Sequence, residues 1–448
     1  MARNLNMTQG KPMRLLVSFA LPLMLGNMFQ QLYTVVDTAI VGQGVGMDAL
    51  AALGTVDWLN WLFLGIAQGY TQGFSVRISH KFGQGDRPGM LRIAGQSAFL
   101  CVLLAVTGTA VGLGLLPVFL QLLRVPPQLQ EMARLYVSIL LAGFPAVMFF
   151  NYCSCVLRAV GDSKTPLISM VVASVINIVL DAVAVFVLDW GIAGAACATV
   201  VSQCLSGLIC ALRIFRTPVL RFSKQDMKPD RNTCRDLLAI GSPVAAKNVV
   251  IALGGMTVQT VVNGFSLSFI AGFTATNKLY GLLEIAATSY GYAVTTFVGQ
   301  NYGAMQLQRI QKGMRDGVIL SLATAGIIAA IMLLFGRPIT MLFISAEDPL
   351  QAARAGDIAY WYLCAMSVSL PVLYLLYVYQ AGLQGMGNTV TTMVSGIIEF
   401  CLRVSLSILI GITGFQYGIF GAEVSAWWGA AIFLMIGYYR CYRKNLHK

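Results

Sequence analysis

Long apolar stretches alternate along this chain with short polar, glycine-rich turns. At about 20 apolar residues per bilayer crossing, the pattern predicts twelve helical spans. Six fall near 14–41, 50–76, 93–117, 133–157, 165–188 and 191–213. Six more fall near 238–263, 268–299, 317–336, 357–381, 390–411 and 417–439. The segments are too long, and alternate too little, for the strands of a membrane β-barrel. The expected fold is therefore an all-α integral membrane protein.

The two sets of six carry the same landmarks. Leu157 to Asp162 (LRAVGD) returns 226 residues later as Leu383 to Asn388 (LQGMGN), and Pro145 and Pro371 share that offset. Gly191, Gly194 and Ala195 match Gly418, Gly421 and Ala422 at offset 227. Phe82-Gly83 matches Tyr302-Gly303 at 220, and Pro22 matches Pro243 at 221. So small a drift means that the whole unit is duplicated. The expected organisation is an N-lobe (1–214, spans one to six), a basic linker (215–236) and a C-lobe (237–448, spans seven to twelve). Six spans per copy keep the two pseudo-symmetric bundles parallel, so their two-fold runs along the membrane normal. A duplicated six-helix unit implies a transporter that rocks one half against the other around a site between them. Prolines at matched depth either set packing geometry or act as hinges.

Composition agrees with this class: 57% of residues are hydrophobic and 11% charged, against about a quarter charged in soluble domains. A net charge of +12 would suggest nucleic acid, but its placement argues otherwise. With both termini cytoplasmic, 23 of the 30 Lys and Arg fall in cytoplasmic segments, and only Arg124, Arg134, Arg337 and Arg354 face outward. That is the positive-inside pattern of a multi-pass inner (plasma) membrane protein. Lys247, Lys278 and Arg403 lie inside predicted spans. No cleavable signal is expected, because the first apolar run is a full span. The ten cysteines, Cys153 and Cys155 included, read as small buried hydrophobes. The two histidines, His80 and His447, fall in basic segments. No cofactor and no resident metal are expected, and an embedded enzyme would need a nucleophile or metal centre at depth that the sequence does not supply.

Polar residues within the spans carry the chemistry. An ionisable group at the bilayer centre costs about 2.5–3.5 kcal/mol on insertion scales, so each is a functional candidate. Asn27, Gln30, Gln31, Thr34, Asp37 and Thr38 form one stripe on the first span. The fifth carries Ser174, Asn177 and Asp181. Thr199 lies eight residues into the sixth, roughly 12 Å deep at about 1.5 Å per residue, and Asp181 is similarly deep. Asp37, Asn177, Asp181 and Thr199 can therefore meet. Two carboxylates, an amide oxygen and a hydroxyl suit a hard cation such as Na⁺, or the acids share a proton. The second half lacks this pair, since Asp37 aligns near Val258 and Asp181 with Ser407. It carries Glu284, with Asn277 and Thr288 on its face, as a candidate contact for a cationic substrate. Glu399 and Arg403, spaced i, i+4, form a candidate structural or gating pair. Partners for Lys247 and Glu423 are not assignable, and Asp57 reads as solvated.

The stretch Pro22 to Gly42, the turns Phe82-Gly83-Gln84-Gly85-Asp86 and Gln300-Asn301-Tyr302-Gly303-Ala304, and Leu157 to Asp162 followed by Asn177 to Asp181 resemble the multidrug and toxic compound extrusion (MATE) family. The likeness spans both copies. It implies a twelve-helix monomer of two six-helix bundles, an antiporter exporting amphipathic organic cations in exchange for Na⁺ or H⁺. In the DinF-like branch, Asp37, Asn177, Asp181 and Thr199 match the cation-coupling positions, while Asn27, Gln30, Gln31, Thr34 and Glu284 would line the substrate cavity. Other branches centre coupling on acids of the second lobe. The alternative is a flippase for lipid-linked saccharides or peptidoglycan precursors, which predicts a basic cavity for pyrophosphate.

Overall fold

The computed structural model describes residues 6–123, 125–221, 223, 226–341, 344 and 349–446; Arg124 and His447 lie outside them. The apolar stretches form α-helices and, among the described residues, no strand. In chain order these are α1 (Pro12–Gly44), α2 (Met47–Gln84), α3 (Arg87–Leu122), α4 (Gln130–Ala142), α5 (Phe144–Ala159), α6 (Lys164–Ala182) and α7 (Gly191–Arg216). Then come α8 (Arg231–Val262), α9 (Leu267–Gly303), α10 (Leu307–Met341), α11 (Pro349–Gly385), α12 (Thr389–Thr413) and α13 (Phe420–Leu446).

Thirteen helices fit a twelve-span layout because α4 and α5 are one span bent by 43°. Among the described residues, nine helices are long and apolar enough to cross a bilayer, and the bent pair adds a tenth. The other two, α2 and α9, are as long at 38 and 37 residues but richer in Gly, Tyr, Thr and Gln. From Leu283 onward α9 is mostly buried against protein, so it meets little lipid and has less need of apolar side chains.

The duplicated motifs have local structural causes. Asp162 Oδ1 accepts the Thr165 amide at 3.0 Å at the start of α6, and Asn388 Oδ1 accepts the Thr391 amide at 3.3 Å at the start of α12. Both satisfy an amide that the helix itself leaves free. Asp86 does the same for α3, taking Gly89 N at 2.9 Å and Lys81 Nζ at 2.8 Å. The Lys81 bond and then the Gly89 bond hold its carboxyl below the usual carboxylate range. The matched prolines behave differently. Pro145 sits in the first turn of α5, just past the bend, where its missing N–H costs nothing. Its counterpart Pro371 lies inside continuous α11.

The chain forms two compact units, Leu21–Ala245 and Thr8–Ala20 together with the chain from Ala246 onward. Both divisions fall inside helices, α1 beside Pro22 and α8 two residues past Pro243. In the first unit, α2 meets α8 through glycines. A Cβ on Gly69 would stand 2.4 Å from Ala245 Cα, and one on Gly73 would stand 2.5 Å from Gly241 Cα. The connection into α8 is fastened to the same unit. Arg77 pairs with Asp236 at 2.6 Å and Arg92 with Asp230 at 3.2 Å, and buried Gln96 binds the Lys228 carbonyl. In the second unit α11 packs against α9, α10 and α13. There Phe269, Phe420, Tyr362 and Phe273 form a stacked aromatic column with centroids 4.7–5.7 Å apart.

Candidate functional site

Three elements of the first unit bring the N-lobe residues together. The last turn of α6 passes into a π-helical turn, Val183–Val187, a local widening that recurs at functional sites. Gly44 of α1 lies against it, since a Cβ there would stand 2.3 Å from Val185 Cγ1. Gly194 of α7 approaches from the other side, where a Cβ would meet that of Ala184 at 2.8 Å. Small residues thus let α1, α6 and α7 converge just beyond Asp37 and Asp181.

The two carboxylates interact with each other, Asp37 from α1 and Asp181 from α6. Asp181 is fully buried and Asp37 is 8% exposed. Both Asp181 oxygens, Oδ1 of Asp37 and both polar atoms of Asn177 are buried with no hydrogen-bond partner. A buried polar atom left unpaired costs about 1–3 kcal/mol, more if charged. Such a group of orphans fits a site built to receive something that supplies positive charge. The donor set is oxygen-rich and contains no sulfur or imidazole, which suits Na⁺ or a proton and not a transition metal.

One turn back along α1 and α6 from these acids opens a narrow cleft of about 20 Å³. Its walls are Gln30 and Tyr33 of α1, Phe150 of α5, Met170, Ser174 and Asn177 of α6, and Thr199, Ser202 and Gln203 of α7. That is room for about one water-sized group, well short of the roughly 300–1,000 Å³ of ligand pockets. Asn177 and Thr199 line this cleft, while Asp37 and Asp181 lie one helical turn beyond Tyr33 and Asn177.

The MatE family profile matches residues 22–183 and again 243–409. The chain belongs to the MatE family. The two matches open on Pro22 and Pro243, so the duplication read from the landmarks is the family's own. A probable multidrug resistance protein, YpnP of Bacillus subtilis (strain 168), is 29% identical over 393 residues, covering 88% of this chain and 87% of that one. Probable multidrug resistance protein NorM of Thermotoga maritima is 25% identical over 422 residues, covering 91% and 88%. A crystal structure of MATE in complex with MaL6 shares the fold, with a TM-score of 0.92 at 23% identity and full coverage of both chains. This MatE protein is accordingly a membrane transporter and not an enzyme.

The remaining expected positions are distributed as follows in this MatE member. On α1, Gln30 lines the cleft and Asn27 and Gln31 are half-buried. Thr34 is exposed, and its hydroxyl donates back to the Gln30 carbonyl at 3.0 Å. Glu284 belongs to the second unit, where the Tyr377 hydroxyl donates to it. Arg403 does not take Glu399 four residues earlier. Its Nη2 meets Glu423 Oε2 at 2.7 Å, and Glu399 Oε1 is left without a partner. Lys247 donates to Gln380, and Lys278 is exposed.

Sequence reasoning passed over Tyr33 and Gln203. Tyr33 and Gln203 line the cleft beside Gln30. Tyr33 follows Gln30 by three residues and precedes Asp37 by four, so helical spacing alone would have put it in the stripe. Its ring read as apolar. Gln203 follows Thr199 by four and was findable in the same way.

Proposed function

We propose that this protein is a secondary active antiporter that exports amphipathic organic cations in exchange for Na⁺ or H⁺. The observation that carries the reading is the interacting, buried and unpartnered pair Asp37 and Asp181 at the end of the α1–α6–α7 cleft. A pair of this kind attracts the driving cation. Once the carboxylates are neutralised, the protein holds an organic cation less well. Coupling follows when ion and substrate favour opposite states of one conformational equilibrium.

Relatives named as multidrug resistance or export proteins support the substrate class. Another relative is named an FAD transporter, but an anion would meet two carboxylates here. The same acids weigh against a flippase for pyrophosphate-linked precursors. We further propose a monomer in the inner (plasma) membrane with both termini cytoplasmic, as the distribution of Lys and Arg requires.

The deciding experiment is dye efflux from proteoliposomes, with Na⁺ and pH gradients imposed separately. The wild type should respond to one of them, which names the coupling ion. Asp37→Asn, reconstituted in equal amount and with an unchanged melting profile, should lose ion-driven efflux. Full efflux from that variant would overturn the reading.

A further inference from the structure

Three arginines around the linker each hold a carboxylate: Arg77 takes Asp236, Arg92 takes Asp230 and Arg213 takes Asp162. Three more, Arg87, Arg216 and Arg221, are exposed and form no ion pair among the described residues. The linker's own acids are engaged elsewhere. Asp226 Oδ2 accepts the Ser223 amide at 2.7 Å and the Ser223 hydroxyl at 2.9 Å, while Asp230 and Asp236 hold the arginines just named.

These three are nonetheless drawn to one place. From the first turn of α3, Arg87 Nη2 donates to the Pro218 carbonyl, and Arg221 Nε donates to the Phe215 carbonyl at 3.3 Å. Arg216 lies between those two acceptors, so all three arginines meet at residues 215–218, where α7 ends. Leu220, 1% exposed in the core of the same unit, pins that turn in place. Carbonyls at a helix C-terminus carry partial negative charge, which accounts for one donor on each anchored guanidinium. A guanidinium has five donors, so most of each fork is left over.

The helix face leading to this end is apolar. Val201, Leu208, Leu212 and Phe215 follow one face of α7 and are 51–63% exposed, and Arg216 closes the row four residues after Leu212. In a membrane protein such a face meets acyl chains. The surplus cations at its foot select the rest of the molecule. A neutral headgroup would leave them uncompensated, and a soluble anion would have no use for the apolar row. Arginine's planar fork matches phosphate oxygens in pairs, and basic pockets at the ends of membrane helices take anionic headgroups.

We propose that Arg87, Arg216 and Arg221 form a binding site for the phosphate of an anionic phospholipid, whose acyl chains lie along Leu208, Leu212 and Phe215. The inference rests on the membrane-spanning fold and on neither the coupling ion nor the exported substrate, so it stands or falls apart from the antiport reading. The duplication supplies an internal control. At the offset of 227, Arg213 and Arg216 recur as the exposed Arg440 and Arg443 of α13, whereas at the offset of 220 the position of Arg87 is Leu307. The second copy therefore keeps the arginines of the helix end without the one that reaches across to it.

The test is native mass spectrometry of the purified full-length protein in detergent, titrated with phosphatidylglycerol or with neutral phosphatidylethanolamine. The wild type should retain one phosphatidylglycerol in clear preference to phosphatidylethanolamine. Arg216 holds no hydrogen bond or ion pair among the described residues, so Arg216→Gln should spare the fold. It should weaken the retained lipid by about fivefold, the worth of one charge at an anionic membrane surface. Arg87→Gln/Arg216→Gln/Arg221→Gln should abolish the preference, and Arg440→Gln/Arg443→Gln should leave it unchanged. Glycerol phosphate, which offers the same anion without chains, should fail to displace the lipid. Unchanged preference in the triple variant would overturn the proposal, and if that variant fails to fold, an unchanged affinity in Arg216→Gln would overturn it alone. Equal loss in the α13 pair would also overturn it, since general surface charge would then account for the binding. Displacement by glycerol phosphate would do the same, making this a site for soluble phosphates.

Discussion

At the scale of single residues, the buried charges divide into those given a partner and those left without one. Arg403 and Glu423 have one, with side chains 7% and 16% exposed. Removing one member of such a pair strands the other, at a cost of about 3–5 kcal/mol, whereas removing both often costs little. Arg403→Met should accordingly lower the melting temperature markedly, and Arg403→Met/Glu423→Met should recover most of the loss. Equal destabilisation of single and double variants would show that the guanidinium acts through packing instead. The acids themselves were legible in the sequence, because an ionisable group within an apolar span stands out. Their partners were not. Glu399 at i−4 and Glu423 twenty residues on both lay within reach of Arg403, and the packing of α13 against α12, not helical spacing, selects between them. The same holds for Lys247, whose acceptor Gln380 lies on α11, 133 residues away in sequence.

At the scale of helices, the number of spans was readable from apolar runs, and the local interruptions were not. Nothing in the sequence distinguished Pro145, which follows a 43° bend, from Pro371 inside an unbroken helix. The difference lies in Gly143, where a Cβ would stand 2.2 Å from Val200 Cγ2, so α7 presses on the chain at the break. Contacts through glycine are equally specific to position. The α2–α8 approach at Gly69 and Gly73 is backbone against backbone, which no change of rotamer can relieve. Gly73→Val should cost at least the 1–3 kcal/mol typical of overpacking, measured as thermal stability in detergent. Gly114 of α3 has open space around its Cβ position. Gly114→Ala should therefore be neutral or slightly stabilising, as helix propensity favours alanine by about 1 kcal/mol. Similar losses from both variants would mean that the α2–α8 approach is not close-packed.

At the scale of the whole chain, duplication has preserved the frame and released the chemistry. Matched prolines, caps and glycine turns recur because each copy must fold the same six-helix unit. The positions matching Asp37 and Asp181 are Val258, 2% exposed, and Ser407, fully buried, so the second copy has no acid pair there. Its charges lie instead on other faces, as Lys247, Glu284, Glu399, Arg403 and Glu423. A twelve-span layout also commits the chain to one orientation, because every loop's side follows from the first. Lys164, at the start of α6, and Arg354, near the start of α11, are both exposed and should lie on opposite faces. In a chain whose native cysteines are replaced, an impermeant maleimide applied to intact cells should label Arg354→Cys at once. It should reach Lys164→Cys only after permeabilisation. The reverse order would invert the proposed topology, and with it the side from which the driving cation enters. Labelling of both sites in sealed cells would place them on one face, which an even number of crossings between α6 and α11 would require and the twelve-span layout forbids.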